Sequence, residues 1–136
     1  MITAVDSSVL LDVFGGDPSF LVRSRAMLRS SAREGKLVAC EVVWAETSAH
    51  FPSSAEASEM LDRVGLEFVP LLVDAAMLAG QRWGDYRRGG GPRTRVTSDF
   101  LIAAHALVQA DRLVTRDRGF YRSYFQDLPV LDPAAS

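Results

Sequence analysis

The chain has 136 residues, a formal net charge of -2, 48% hydrophobic and 24% charged side chains. That length suits one domain, residues 1–136, with a core of its own, and the composition excludes disordered and collagen-like chains. Cys40 is the only cysteine, so no disulfide can form within the chain.

No apolar run reaches the ~18 residues of a membrane span. The opening Met-Ile-Thr-Ala-Val-Asp lacks the basic start of a secretory signal, so a cytoplasmic protein is expected. Charge is unevenly spread: residues 1–80 carry 6 basic and 11 acidic side chains, residues 81–136 carry 9 and 6. A globally basic nucleic-acid binder is not indicated, whereas a local basic surface remains open.

In chain order, Ile2–Val5 reads as a strand ending in Asp6, and Ser7-Ser8 as the cap of a helical turn over Val9–Phe14. Gly15-Gly16 breaks it, and Asp17-Pro18 offers an N-cap and a first helical position for a helix that Gly35 ends. Leu37–Cys40 is a second strand, and Glu41–His50 a helix. Ser53-Ser54 with Glu56 resembles a capping box, opening a helix that runs to Val64 and closes at Gly65. Leu66–Leu72 reads as a third strand and Asp74 to about Tyr86 as a helix. Gly89-Gly90-Gly91-Pro92 is a loop flanked by Arg87, Arg88, Arg93 and Arg95. Ser98 caps an apolar helix over Asp99–Gln109. Leu113–Thr115 is a fourth strand, Gly119–Tyr124 a short helix and Val130-Leu131 a last strand. Strands alternating with helices imply parallel pairing, hence a three-layer α/β/α sandwich around a mainly parallel sheet.

Ligands of open α/β sheets sit outside the carboxyl ends of the strands, so acids at strand ends and helix starts matter most. Asp6 ends the first strand, Asp99 opens the apolar helix, and Asp117 follows the fourth strand. Glu46 lies on the helix leaving the second strand, on the face of Val42 and Val43. Four carboxylates meeting at one sheet edge repel each other unless a cation sits among them, and oxygen ligation selects a hard ion, Mg²⁺ or Mn²⁺. Glu41 points about 140° away from Glu46 around a 3.6-residue helix, too far to share that ion. Asp12 and the remaining aspartates read as caps, turns or solvated positions, and His50 and His105 as structural histidines. No zinc spacing, Gly-x-Ser-x-Gly elbow or Walker loop is present.

Val5-Asp6-Ser7-Ser8-Val9-Leu10, Val42-Val43-Trp44-Ala45-Glu46-Thr47, Thr97-Ser98-Asp99-Phe100-Leu101-Ile102-Ala103-Ala104-His105-Ala106 and Leu113-Val114-Thr115-Arg116-Asp117-Arg118-Gly119-Phe120 stand in one order along the chain. Together they resemble a PIN domain, and within that family a VapC-type toxin ribonuclease. The resemblance implies a Mg²⁺- or Mn²⁺-dependent endoribonuclease with Asp6, Glu46, Asp99 and Asp117 as its acidic quartet. By the same resemblance Asp6 and Asp99 would be most directly tied to the metal, Ser8 and Thr115 would support the site, and the products would carry 3′-hydroxyl and 5′-phosphate ends. It also implies a homodimer and a cognate antitoxin. An acidic pocket repels RNA, so Arg87, Arg88, Arg93, Arg95, Arg116 and Arg118 are the candidates to hold its backbone. Trp44, Trp83 and the Phe120–Phe125 cluster are expected to serve assembly. A catalytically silent PIN-like module that binds RNA or an antitoxin peptide is the alternative. A receiver-type phosphoacceptor would need a second acid beside Asp6 and a lysine after a late strand, where Ser7 and Thr115-Arg116 stand.

Overall fold

The computed structural model describes residues 1–91 and 97–134, so Arg93 and Arg95 of the basic loop lie outside the described residues. The elements are β1 (Ile2–Val5), α1 (Ser7–Phe14), α2 (Leu21–Glu34), β2 (Lys36–Ala39), α3 (Glu41–Ser48), α4 (Ser54–Val64), β3 (Leu66–Phe68), α5 (Val73–Arg88), α6 (Thr97–Gln109), β4 (Arg112–Val114), α7 (Arg118–Tyr124) and β5 (Val130–Leu131). The five strands form one sheet in the order β3-β2-β1-β4-β5, every neighbouring pair parallel. The helices complete the three-layer α/β/α architecture expected from the alternating pattern.

The central strands are buried on both faces, as parallel strands between helical layers must be. Thr3, Ala4 and Val5 of β1 and Leu37, Val38 and Ala39 of β2 are all inside. Helix α6 buries Phe100 and the run Ile102–Ala106, apolar nearly all round because neighbouring elements surround it. Gly65 ends α4 at φ +79°, a conformation that a side chain would strain.

Several boundaries differ from expectation because side chains compete for backbone groups. Asp17 does not open α2: its Oδ1 accepts the Ser19 and Phe20 N–H groups, holding a separate turn before the helix starts at Leu21. Strand β3 stops at Phe68, since Pro70 has no N–H to donate. After Val69, whose N–H still donates to the Ala39 carbonyl, side chains tie the chain: Leu71 N–H donates to Glu41, Leu72 N–H to Gln109, and the Gln109 amide to the Pro70 carbonyl. Ser7 and Ser8 lie inside α1, with Asp6 at the N-cap, and Ser98 lies inside α6. The Ser53 cap is as expected, its hydroxyl accepting the Glu56 N–H.

The topology positions a site. From β1 the chain adds β2 and β3 on one side, then β4 and β5 on the other. The direction of winding reverses between β1 and β4, and such a switch point opens a crevice at the carboxyl ends of the strands. Val5 and Val114 are register partners, so Asp6 and Thr115 emerge side by side there.

Candidate functional site

Asp6 continues the β1–β4 ladder through its N–H, 3.0 Å from the Val114 carbonyl, at the carboxyl end of β1. It is 6% exposed. Its Oδ2 accepts hydrogen bonds from Thr115 Oγ1 at 2.6 Å and Ser8 Oγ at 3.1 Å. Asp6 makes no ion pair among the described residues. Burial raises its pKa above the usual carboxylate value. The Thr115 and Ser8 hydroxyls oppose that, and the negative charges of Asp99 and Glu46 add to it.

Each supporting hydroxyl has two duties. Thr115 Oγ1 donates to Asp6 while accepting the Asp117 N–H at 3.0 Å, which ties the start of α7 to the end of β1. Ser8 Oγ donates to Asp6 while accepting the Arg116 N–H at 3.3 Å. The sequence assigns Ser7 no role beyond its place in a cap and in the Val5–Leu10 run, yet its Oγ donates to Glu46 Oε1 at 3.0 Å and joins α1 to α3.

Asp99 lies in the first turn of α6 and Asp117 at the N-cap of α7, both half-buried. One further residue registers all four acids. Tyr121 is fully buried, its phenol pKa is pushed up by burial, and the charges of Asp6, Asp99, Asp117 and Glu46 push it further. Asp6, Asp99, Asp117 and Glu46 thus all lie within electrostatic reach of one buried side chain. Among the described residues, no group of three or more carboxylate, histidine or cysteine side chains is gathered closely enough to hold a metal ion as placed.

Two assignments are corrected. Asp12 is neither a cap nor solvated: it is 3% exposed and takes a two-pronged contact from Arg116, Nε at 2.6 Å and the terminal nitrogen at 2.8 Å. Ser24 Oγ donates to it as well, at 2.9 Å. Arg116 is consequently occupied, with its guanidinium also 4.0 Å from the Phe20 ring centre, and does not present itself to an RNA backbone. The hint was legible: a carboxylate inside Leu10-Leu11-Asp12-Val13-Phe14 requires a partner.

Of the other arginines, Arg88 pairs with Asp85 at 2.6 Å on an exposed surface, Arg87 lies over the Trp83 ring, and Arg118 opens α7. Phe120 and Phe125 are core residues, and Trp44 and Trp83 are packed partly against the core. Of the Phe120–Phe125 cluster Tyr124 is exposed, and the other exposed apolar side chains include Phe68, Leu72, Val73, Met77 and Val108. His105 is buried as expected, and burial lowers its pKa. His50 is exposed beyond the end of α3, its Nδ1 3.0 Å from the Glu46 carbonyl.

The family model of the PIN domain matches residues 3–126, and the chain belongs to the PIN domain family. Similar solved structures include VapBC2 from Rickettsia felis bound to a DNA fragment from their promoter, at 18% identity and TM-score 0.76. That match covers 97% of this chain and 98% of that one. VapBC-1 from nontypeable Haemophilus influenzae is similar at 16% identity and TM-score 0.73, covering 98% of each chain. FitAcB from Neisseria gonorrhoeae is similar at 20% identity and TM-score 0.70 over 100% of both chains. At these identities the structures speak for the shared fold. No curated protein sequence matches the chain significantly.

Proposed function

We propose that the protein is a metal-dependent endoribonuclease, the toxin of a toxin–antitoxin pair, acting through Asp6, Glu46, Asp99 and Asp117. The observation that carries this reading is Asp6: a buried carboxylate that makes no ion pair among the described residues, held by two hydroxyls at a switch point and repelled by further acids. A merely structural aspartate would be paired, as Asp12 is.

The donor set suits a hard ion. All four side chains offer carboxylate oxygens, and the Asp6 oxygen not used by Thr115 and Ser8 has a 3.5 Å contact from Ser7. Asp6 and Asp99 would hold Mg²⁺ or Mn²⁺, with Glu46 and Asp117 ligating directly or through water. When bound, such an ion neutralises phosphate charge and lowers the pKa of a coordinated water. The chain's own contribution is orientation: Thr115 and Ser8 fix Asp6, Thr115 also fixes the backbone at Asp117, and Ser7 fixes Glu46. Arg87, Arg88 and Arg118 are the described arginines offered to the RNA backbone, with Arg93 and Arg95 in the same role.

An antitoxin partner is part of the reading, supported by the fold shared with VapBC proteins. A cavity of about 310 Å³ between α1, α2 and α4 is floored by Phe14, Leu28 and Val64 and rimmed by Arg25, Arg29 and Arg63. Its chemistry fits an apolar segment carrying acidic residues. A homodimer would use the exposed Phe68, Leu72, Val73 and Met77. No described helix is long and apolar enough to cross a membrane, and a cytoplasmic site of action is proposed with the RNA substrate.

Incubating purified protein with RNA, with Mg²⁺ or Mn²⁺ and then with excess EDTA, tests the chemistry. Cleavage restricted to the metal arm is expected, and equal cleavage in EDTA would remove the mechanism. Light scattering at tens of micromolar should give a dimer.

A further inference from the structure

A groove of about 540 Å³ lies between α7 and β5, a size that suits a small ligand or part of a longer one. Arg118, Arg122 and Gln126 form its polar lining, Phe125, Leu128 and Val130 its apolar lining, and no acid lines it among the described residues.

Topology sets where the groove leads. Strands β4 and β5 are parallel, so α7, which connects them, runs back from the carboxyl end of the sheet toward the start of β5. Arg118 directly follows Asp117, the N-cap of α7, and Arg122 stands one turn further, about 6 Å along the axis. The groove thus begins at the residue after an acid of the quartet and leads away from the carboxyl ends of the strands.

Its charge is positive and unmatched. Arg118 is half-buried and Arg122 exposed, and neither has an ion-pair partner among the described residues. Asp127, one residue beyond Gln126, is already taken: its two oxygens accept from Arg82 at 2.8 and 2.7 Å. Like charges four residues apart on a helix repel each other, and an anion between them relieves that. The planar guanidinium matches a phosphate and stays charged throughout the ordinary pH range.

We propose that this groove binds a single strand of RNA that continues from the acidic site, with Arg118 and Arg122 each holding a phosphate and Leu128 and Val130 covering the apolar face of a nucleotide. An unpaired strand suits it better than a duplex, whose bases are stacked inside and offer no such face. Arg122 thereby joins Arg118, and the two mark a path for the substrate. This inference rests on the ribonuclease reading above and deepens it.

The test measures binding of a short labelled single-stranded RNA in EDTA, by fluorescence anisotropy across a salt series. Arg118→Ala/Arg122→Ala should flatten the log–log slope by about 1.4, at about 0.7 for each phosphate released. Arg23→Ala/Arg33→Ala removes the same charge from exposed positions of α2, which packs at β2, across β1 from β5, and should keep the wild-type slope. Arg122→Glu alone, at an exposed position, should melt as wild type does and bind RNA about 10-fold more weakly at low salt. With Mg²⁺, Arg122→Ala should raise KM while kcat holds. Equal slopes in the two double variants, or wild-type RNA affinity in Arg122→Glu, overturn the proposal. If Arg118→Ala/Arg122→Ala loses affinity for a poly-glutamate peptide but not for RNA, the groove takes an acidic protein segment and the RNA assignment falls. If wild type cuts RNA with metal while the slope stays fixed, the groove alone falls. If the slope moves as expected while wild type cuts nothing with Mg²⁺ or Mn²⁺, the nuclease reading falls and the groove stands.

Discussion

Asp6 and Asp12 stand six residues apart at the start of the chain, 6% and 3% exposed, and share almost nothing else. Asp12 faces a guanidinium that grips both of its oxygens, and a serine completes the set. Asp6 faces hydroxyls and other carboxylates; burial holds its proton more tightly, the acids add to that and the hydroxyls oppose it. The first arrangement cross-links α1, α2 and the end of β4, and it is finished as it stands. The second leaves Asp6 without a counter-charge among the described residues at the carboxyl end of β1, an arrangement a folded protein keeps where a cation or substrate is to be met. Burial alone does not mark a functional acid; what distinguishes the two is whether the structure itself supplies the counter-charge.

The sharpest way to break the contrast is on activity. Asp6→Asn and Asp99→Asn keep shape and remove one charge each, and RNA cleavage should drop to background in both. Cleavage by either variant at near the wild-type rate would show that the quartet is not the site. On stability the two aspartates should move in opposite directions. Asp12→Ala strands the Arg116 guanidinium and should cost roughly 2–4 kcal/mol in urea unfolding, somewhat below a fully buried pair because Arg116 keeps some water. Metal-free Asp6→Asn should be unchanged or more stable, by about 0–2 kcal/mol, since Asn still offers Thr115 and Ser8 an acceptor. Equal losses in the two variants would make Asp6 an ordinary structural acid.

The pH dependence follows from the direction of the Asp6 shift. Its folded pKa lies above the ordinary 3.8, so the folded protein binds this proton more tightly than the unfolded chain does. The corresponding stability is fully present below 3.8 and is lost as pH rises through the folded value. The advantage of Asp6→Asn over wild type in metal-free buffer should therefore shrink as pH falls through the folded value toward 3.8. His105 runs the other way: its lowered pKa gives stability that is present above 6.5 and lost as pH falls through the folded value. Being common to both proteins, it cancels in the difference. A constant difference across the range would show that Asp6 titrates normally. The smallest effect belongs to the surface: Arg87→Ala with Arg88→Ala should leave melting nearly unchanged, because exposed ion pairs contribute at most about 1 kcal/mol. It should flatten the salt dependence of RNA binding by about 0.7 in log–log slope for each phosphate no longer neutralised. An unchanged slope would return both arginines to the role of solvated surface.

Local chemistry decided much of this protein at the level of sequence. The alternation of apolar strands with helices, the Ser53 cap, the Gly65 stop and the position of Asp6, Asp99 and Asp117 at element junctions were all legible there, because periodicity, capping and strand ends are short-range properties. The boundaries that moved did so where a side chain captured backbone groups: Asp17 took the N–H groups of Ser19 and Phe20, and Glu41 and Gln109 took those of the segment beyond Phe68. The pairing of Asp12 with Arg116 joins residues 104 apart, and the acids whose charges raise the Tyr121 pKa come from four separate elements. Which acid would be neutralised and which left charged depended on the parallel register that sets β1 beside β4 and brings their ends together. That register is the outcome of packing two helical layers on a common sheet, and electrostatics between distant residues has no value until packing has set the distances.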